Sequence, residues 1–448
     1  MKHTFSPKGR KVISLLLAIL MLVTFAVGCG SNNNSATSSS DTTASNESNS
    51  SSASSNASGD VTELTYWALA DRQEAFDPIT KEFNESNKDV RVTVAYYDTD
   101  GLKNACKVGA ASGTLADMWF NWGGSLGQYY VDNGLTYDLT SYAEKNGWSN
   151  KFKESALSLC VLDGKLSGYP TNVSVLGMFY NKEIFNKYSI QIPSSLEELE
   201  KAASTLKQNG ITPFSTAGLH GWHVMRIIEQ LIEYYAGANL HDKLQTMDTS
   251  WEDPAVISAL TKYQEWCKLG YFPEGFLTND PNDTFIALAK KKAAMDLQGQ
   301  WYDGTITSNE QKVEDYGWFP FPNKTGRMSA FAEMTQINSK LDEAKVDKAV
   351  KYLDFVFSAK NADTYSQYLN LPLASIDAKI ADGYPHIKEM YDYANEKGTF
   401  TITDQAFPAQ VADVLFRNQD ALYGNKTDPK AAAADIETAI KSYKSSNK

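Results

Sequence analysis

Cysteine, histidine and basic charge are all scarce in this sequence. Only 4 of its 448 residues are Cys, and Cys106, Cys160 and Cys267 stand far apart, outside any Cys-x-x-Cys spacing. That excludes a legible disulfide framework and the usual structural-metal patterns, so no metal ligand set is assigned. His220 and His223, two of the 5 histidines, share a His-x-x-His spacing, but no acidic residue stands where a zinc protease carries its base. Lys and Arg number 42 against 54 Asp and Glu, a formal net charge of −12. Such an acid excess argues against nucleic acid or an anionic lipid surface as partner. Gly-x-Ser-x-Gly, phosphate-loop and Gly-x-Gly-x-x-Gly patterns are also missing, and no cofactor is assigned.

The long apolar run is at the N-terminus. Lys2, Lys8, Arg10 and Lys11 precede Val12–Gly28, the charge-then-apolar layout of a secretory signal. Ala26-Val27-Gly28-Cys29 resembles the lipobox of bacterial lipoproteins, which implies cleavage before Cys29 and lipidation of its thiol. Residues 30–60 hold no apolar side chain larger than Ala and cannot order themselves by burial. A tether of this length spans ~30 Å as a flexible coil. The expected place of the body is therefore the extracellular face of the cell membrane, held through Cys29.

What is abundant is aromatic: 9 Trp, 24 Tyr and 20 Phe. From Leu64 the pattern alternates. Leu64–Trp67, Val90–Tyr97 and Asp117–Asn121 read as strands, with helices over Arg72–Asn87 and Lys103–Ala111 between them. Strand and helix in alternation signal a parallel α/β sheet, whose ligands bind beyond the carboxyl ends of the strands. A second block follows: a helix over Leu196–Gln208 capped by Ser194 or Ser195, a strand at Thr212–Thr216, helices from Val224, at Ala255–Leu269 and at Thr284–Lys291, and a strand at Ala293–Leu297. From Val346 the chain reads as mostly helical. The length beyond residue 60 suggests two lobes.

The segments LTYWALADRQEAFDPITKEFNE, VRVTVAYYD, GTLADMWFNWGG, KLSGYPTNVSVLGMFYNKEIFNKY and AAMDLQGQW, in that order, resemble the extracellular solute-binding proteins of carbohydrate ABC transporters, of the maltose-binding type. The resemblance implies an α/β two-lobed periplasmic-binding fold (type II-like), with lobes discontinuous in sequence and a ligand cleft between them. It places crossings near Tyr169–Val175, Trp318–Lys324 and Asn370–Leu373. One lobe would be 61–175 plus 325–370, the other 176–324 plus 371–448. It also implies a monomer that captures an oligosaccharide and delivers it to ABC transporter permease subunits.

A sugar offers an apolar C–H face and a belt of hydroxyls, so its site pairs aromatic rings with amides and carboxylates. Five places in the sequence do this. They are Trp67 with Asp71; Asn121-Trp122 before a glycine pair; Asn172 and Ser174 in the first crossing; His220 and Trp222 in a glycine-flanked loop; and Trp301 with Asp303 after Gly299. Glu333 and Phe407 complete the candidates. The resemblance gives Trp301 the role of stacking on a sugar ring. Two rival classes stay open on sequence alone. A secreted glycosidase would need two carboxylates ~5–9 Å apart, which Asp71, Asp303 and Glu333 could supply; a surface adhesin would need no deep cleft.

Overall fold

The computed structural model describes residues 61–446, except 366–373, 378 and 381–382. The N-terminal signal, Cys29, the tether and the crossing expected at Asn370–Leu373 lie outside the described residues. Among the described residues, no helix is long and apolar enough to cross a membrane.

Among the described residues eleven strands follow one another: β1 (Thr62–Leu69), β2 (Val90–Tyr97), β3 (Met118–Trp122), β4 (Val161–Leu162), β5 (Lys165–Leu166), β6 (Tyr169–Asn181), β7 (Thr212–Phe214), β8 (Ala293–Gly299), β9 (Tyr316–Phe319), β10 (Met328–Ile337) and β11 (Thr399–Thr401). Local chemistry sets many of the boundaries. Val90 and Val92 are buried in β2 while Arg91 and Thr93 face water, the period-2 pattern of a strand covered on one side. The helix Gln73–Ser86 buries Ala75, Phe76, Ile79 and Phe83, a stripe at helical spacing. The Asp98 carboxylate accepts from Gly101 N at 2.6 Å and starts the helix Thr99–Ser112, which ends on Gly113 in the left-handed region. Ser195 caps Leu196–Gln208, while the Glu198 carboxylate reaches back to Ser194 N at 2.8 Å.

Nine strands share one sheet path, β2-β1-β3-β10-β6-β8-β7, with β9 on β6 and β11 on β10. The parallel sheet expected from the alternation holds for β1 with β2 and β3, and for β7 with β8. The sheet as a whole is mixed, because β10 returns from the second lobe and runs antiparallel to both β3 and β6. β6 is the shared strand: residues 169–175 pair with β10, and residues 176–181 pair with β8 and β9. Two large apolar cores sit on the two halves of this path. One gathers Leu64, Phe76, Trp119, Trp148 and Val350; the other gathers Leu199, Ile228, Trp266, Leu297 and Leu415. The protein is thus a two-lobed α/β structure with a cleft where the halves meet. Ala374 and Ile376 still bond to Thr171 and Lys151 of the first lobe, so the chain leaves that lobe later than residue 373.

Candidate functional site

A cavity of about 390 Å³ lies in the cleft, lined from both lobes. The first lobe contributes the turn after β1, the end of β2, Lys103 and the end of β3. From the second come the start of the helix Trp222–Gln245, the loop at Pro281–Asn282 and the end of β8. The loops beyond strand ends therefore do supply the walls, as the α/β rule requires.

Three indoles line the cavity: Trp122, Trp222 and Trp301. Trp122 closes β3 with its ring edge-on to Phe120, centroids 4.8 Å apart. The glycine pair that follows is forced by crowding. Gly124 has φ +61°, and a Cβ there would lie 2.2 Å from Gln405 O. Gly299 acts in a different way: a Cβ on it would fall 1.8 Å from the Trp301 ring, so its bare backbone is the floor on which that ring lies. Phe331 meets Trp301 edge-on at 5.8 Å.

Polar groups stand beside the rings. Asp71, in the turn Ala70–Arg72, lines the cavity with much of its side chain open to it. Its burial raises its carboxyl pKa above the ordinary range, and the neighbouring Arg72 pulls the other way. Glu333 on β10 also faces the cavity; Arg72 Nη2 donates to its Oε2 at 2.5 Å, and Ser174 Oγ to its Oε1 at 3.3 Å. On the opposite wall, Arg226 Nη1 donates to Gln298 Oε1 at 3.0 Å. Gln298 in turn donates to Asp296, which also accepts from Tyr302 OH at 2.9 Å and lies 3.2 Å from His223 Nε2. This buried relay fixes the wall from behind. Asp98 and Asp404 complete the acidic lining.

Contacts also cross the cleft. Asp100 Oδ2 lies 3.2 Å from His220 Nε2. Lys103 Nζ sits 5.0 Å from the Trp122 ring and 5.6 Å from the Trp222 ring. Burial lowers the Lys103 pKa, while Asp404 and Asp100 oppose that shift.

Of the residues singled out from sequence, Asp71, Trp122, Trp222, Trp301 and Glu333 are brought together here. The others are placed elsewhere, each for a visible reason. Trp67 packs against Gly109 and stands edge-on to Tyr97 at 5.8 Å. Asn121 turns inward, where its Nδ2 donates to Gln336 Oε1 at 2.7 Å. Asn172 is buried and accepts from Tyr391 OH. Ser174 lies beneath the floor, binding Glu333 and accepting from Gln300 Nε2 at 3.1 Å. His220 is at the cleft edge with Asp100. Asp303 is sealed against the start of the helix Pro385–Lys397, accepting from His386 N at 3.1 Å with Nδ1 at 2.5 Å. Phe407 is fully buried in the second core with its ring 5.0 Å from Trp251. The His-x-x-His pair also diverges, since His223 faces Asp296 inside the lobe.

Sequence reasoning missed Lys103, Arg226, Gln298, Phe331 and Asp404. Arg226 carried a usable signal, because it follows Trp222 by four residues and so shares its helix face. Asp404 carried none, since it reaches the cavity from a segment remote in sequence.

The sequence profile of a bacterial extracellular solute-binding protein family matches residues 67–363, well over half the chain. A multiple sugar-binding protein of Streptococcus mutans is 24% identical over 310 residues, covering 66% of this chain and 71% of its own length. An uncharacterized ABC transporter extracellular-binding protein of Pyrococcus horikoshii is 24% identical over 315 residues, covering 67% and 68%. Among solved structures, a chitin oligosaccharide binding protein superposes with a TM-score of 0.77 at 23% identity, over 85% of this chain and all of that one. A maltose/maltodextrin-binding domain of Bdellovibrio bacteriovorus, bound to maltotriose, gives 0.69 at 17% identity, over 85% of this chain and 99% of that one. The profile match, over a two-lobed fold with a lined cleft, makes this chain a member of the bacterial extracellular solute-binding proteins.

Proposed function

We propose that this protein captures an oligosaccharide in the interlobe cavity and presents it to the permease subunits of an ABC importer. The observation that carries the reading is the cavity wall itself: three indoles from three separate segments, interleaved with Asp71, Asp98, Glu333 and Gln298. Indole faces cover the C–H surfaces of sugar rings, and carboxylates and amides take the hydroxyls. Three platforms suit several rings better than one. The sugar-binding name of one relative supports the same reading. Anchoring through a lipidated Cys29 belongs to this proposal, supported by the small residues before it and the polar tether after it; the mass of the N-terminal peptide from native membranes tests it.

A panel of neutral oligosaccharides, screened by thermal shift and then titrated calorimetrically, tests the central claim. A ligand at 100 times its Kd stabilises by about 2.7 kcal/mol. The expected result is saturable binding with the saccharide recovered intact. Stabilisation by none of the panel, or release of cleaved sugar, would count against it, the latter in favour of a glycosidase.

A further inference from the structure

Arg226 stands out among the cavity residues because, among the described residues, no carboxylate touches its guanidinium directly. The side chain is 6% exposed, at the start of the helix Trp222–Gln245. Its hydrogen bonds go from Nη1 to the neutral acceptors Gln298 Oε1 at 3.0 Å and Leu297 O at 3.5 Å. The Nε donor is buried without a partner, and so is the indole N–H of Trp222. Among the described residues no carboxylate comes within salt-bridge range of this guanidinium, in contrast to Arg72 on Glu333 and Arg327 on Glu233. Asp404, Asp296 and Glu229 act on it only at longer range, and burial pushes its pKa down to about 10. The guanidinium carbon lies 4.6 Å from the Trp222 ring and 5.5 Å from the Trp301 ring. Two cavity-lining neighbours thus hold buried donors with nothing to donate to.

We propose that Arg226 and Trp222 form a donor pair completed by the ligand: the guanidinium and the indole N–H bind acceptor oxygens of a neutral saccharide, making Arg226 a specificity-determining residue. This rests on the saccharide reading above. A buried donor left unpaired is costly, and a ligand oxygen removes that cost only in the complex. Neutrality of the ligand follows from the lining. Once Glu333 is set against Arg72, the carboxylates of Asp71, Asp98 and Asp404 face the cations Lys103 and Arg226. An added carboxylate on the ligand would meet an acid excess, whereas hydroxyl and ring oxygens accept from Arg226 and hydroxyls donate to the acids.

The test uses Arg226→Met, Arg226→Lys and Trp222→Phe in the full chain, with neutral trisaccharides (maltotriose, xylotriose, cellotriose, N,N′,N″-triacetylchitotriose) and trigalacturonate as probes. Arg226→Met should lower affinity for the neutral binder at least tenfold, and Trp222→Phe, which keeps a ring but loses the N–H, should lower it severalfold. Arg226→Lys should not restore wild-type affinity, because an ammonium lacks the planar fork. Without ligand, Arg226→Met should melt at or above the wild-type temperature, since an unpaired buried cation is removed. A drop of several degrees in that ligand-free melt makes Arg226 structural and overturns the inference whatever the ligand proves to be. Unchanged affinity in Arg226→Met, or tighter wild-type binding of trigalacturonate than of any neutral trisaccharide, overturns it as well. If the wild type binds no saccharide at all, the saccharide reading fails instead, and the ligand-free melt still decides the role of Arg226.

Discussion

Trp301 and Phe407 show how far a single residue's environment outweighs its type. Both are large aromatics, and both were candidates on sequence. Trp301 follows Gly299 at the end of β8 and lines the cavity, whereas Phe407 is sealed against Trp251. Trp301→Ala should therefore act mainly on binding. A sugar stacked on the indole removes ~100 Å² of apolar surface from water, worth ~2–3 kcal/mol, or a 30- to 150-fold loss of affinity by calorimetric titration. Phe407→Ala should act on stability instead. Truncating a buried Phe costs ~3–5 kcal/mol, which chemical denaturation of the ligand-free protein would register, with affinity at low temperature near the wild-type value. The reverse assignment of effects would return Phe407 to the site and remove Trp301 from it. The sequence could not separate the two, because burial is decided by which helix packs over a side chain, not by its neighbours in the chain.

At the scale of elements, the helix Trp222–Gln245 organises the second wall. Its N-terminal turns carry Trp222 and Arg226, and one turn further Glu229 fastens it to the segment after β11, accepting from Thr403 N at 2.9 Å and Thr403 Oγ1 at 3.1 Å. Burial pushes the Glu229 pKa up to about 8, against the opposing effect of those bonds. The folded protein therefore keeps a proton that the unfolded chain releases near pH ~4.3, and this residue's contribution to stability falls as pH rises from there to about 8. Glu229→Gln should match the wild type near pH ~4 and exceed it by more than ~1 kcal/mol at pH 8 in urea denaturation; equal differences at both pH values would show that Glu229 is ionised in the fold. Further along the helix, Glu233 does the opposite. Despite burial, His241, Arg327 and Thr325 hold its pKa down to about 2, so its stabilising contribution is present above pH ~4.3 and is lost only as pH falls toward 2. Elements with one buried face were readable, since β2 and the helix Leu196–Gln208 have the bounds their patterns gave. The strand β10 was not, because Glu333, Thr335 and Gln336 interrupt its apolar run while all ten positions are buried.

For the whole molecule, the decisive feature is that two cores share β6 and are joined by few segments. Relative motion of the lobes is the expected response to a ligand that contacts both. Binding of the proposed saccharide should reduce the radius of gyration in small-angle scattering; an unchanged value at saturation would mean that the cleft does not close. The contacts between Asp100 and His220, and of Lys103 with Trp222, bear on the same equilibrium, since each pairs one lobe with the other. His220→Ala should therefore weaken saccharide affinity severalfold while leaving the ligand-free melt within about a degree, as a partly exposed pair contributes ~0–1 kcal/mol.

The sequence by itself determined the α/β class, the order of the strands and helices that bury one face, and the aromatic candidates at strand ends. These follow from periodicity and local chemistry, which a linear chain carries in full. Tertiary structure alone decided which candidates share a cavity. Asp71, Trp122, Trp222, Trp301 and Glu333 lie on five separate segments, and their meeting depends on how β10 returns between β3 and β6. It decided, too, that Asp303 would be spent on His386 and Asn121 on Gln336, and that Arg226 would be buried on Gln298 with no carboxylate in direct contact among the described residues. Such outcomes depend on long-range packing: Asp303 and His386 are 83 positions apart, and Asn121 and Gln336 are 215 apart.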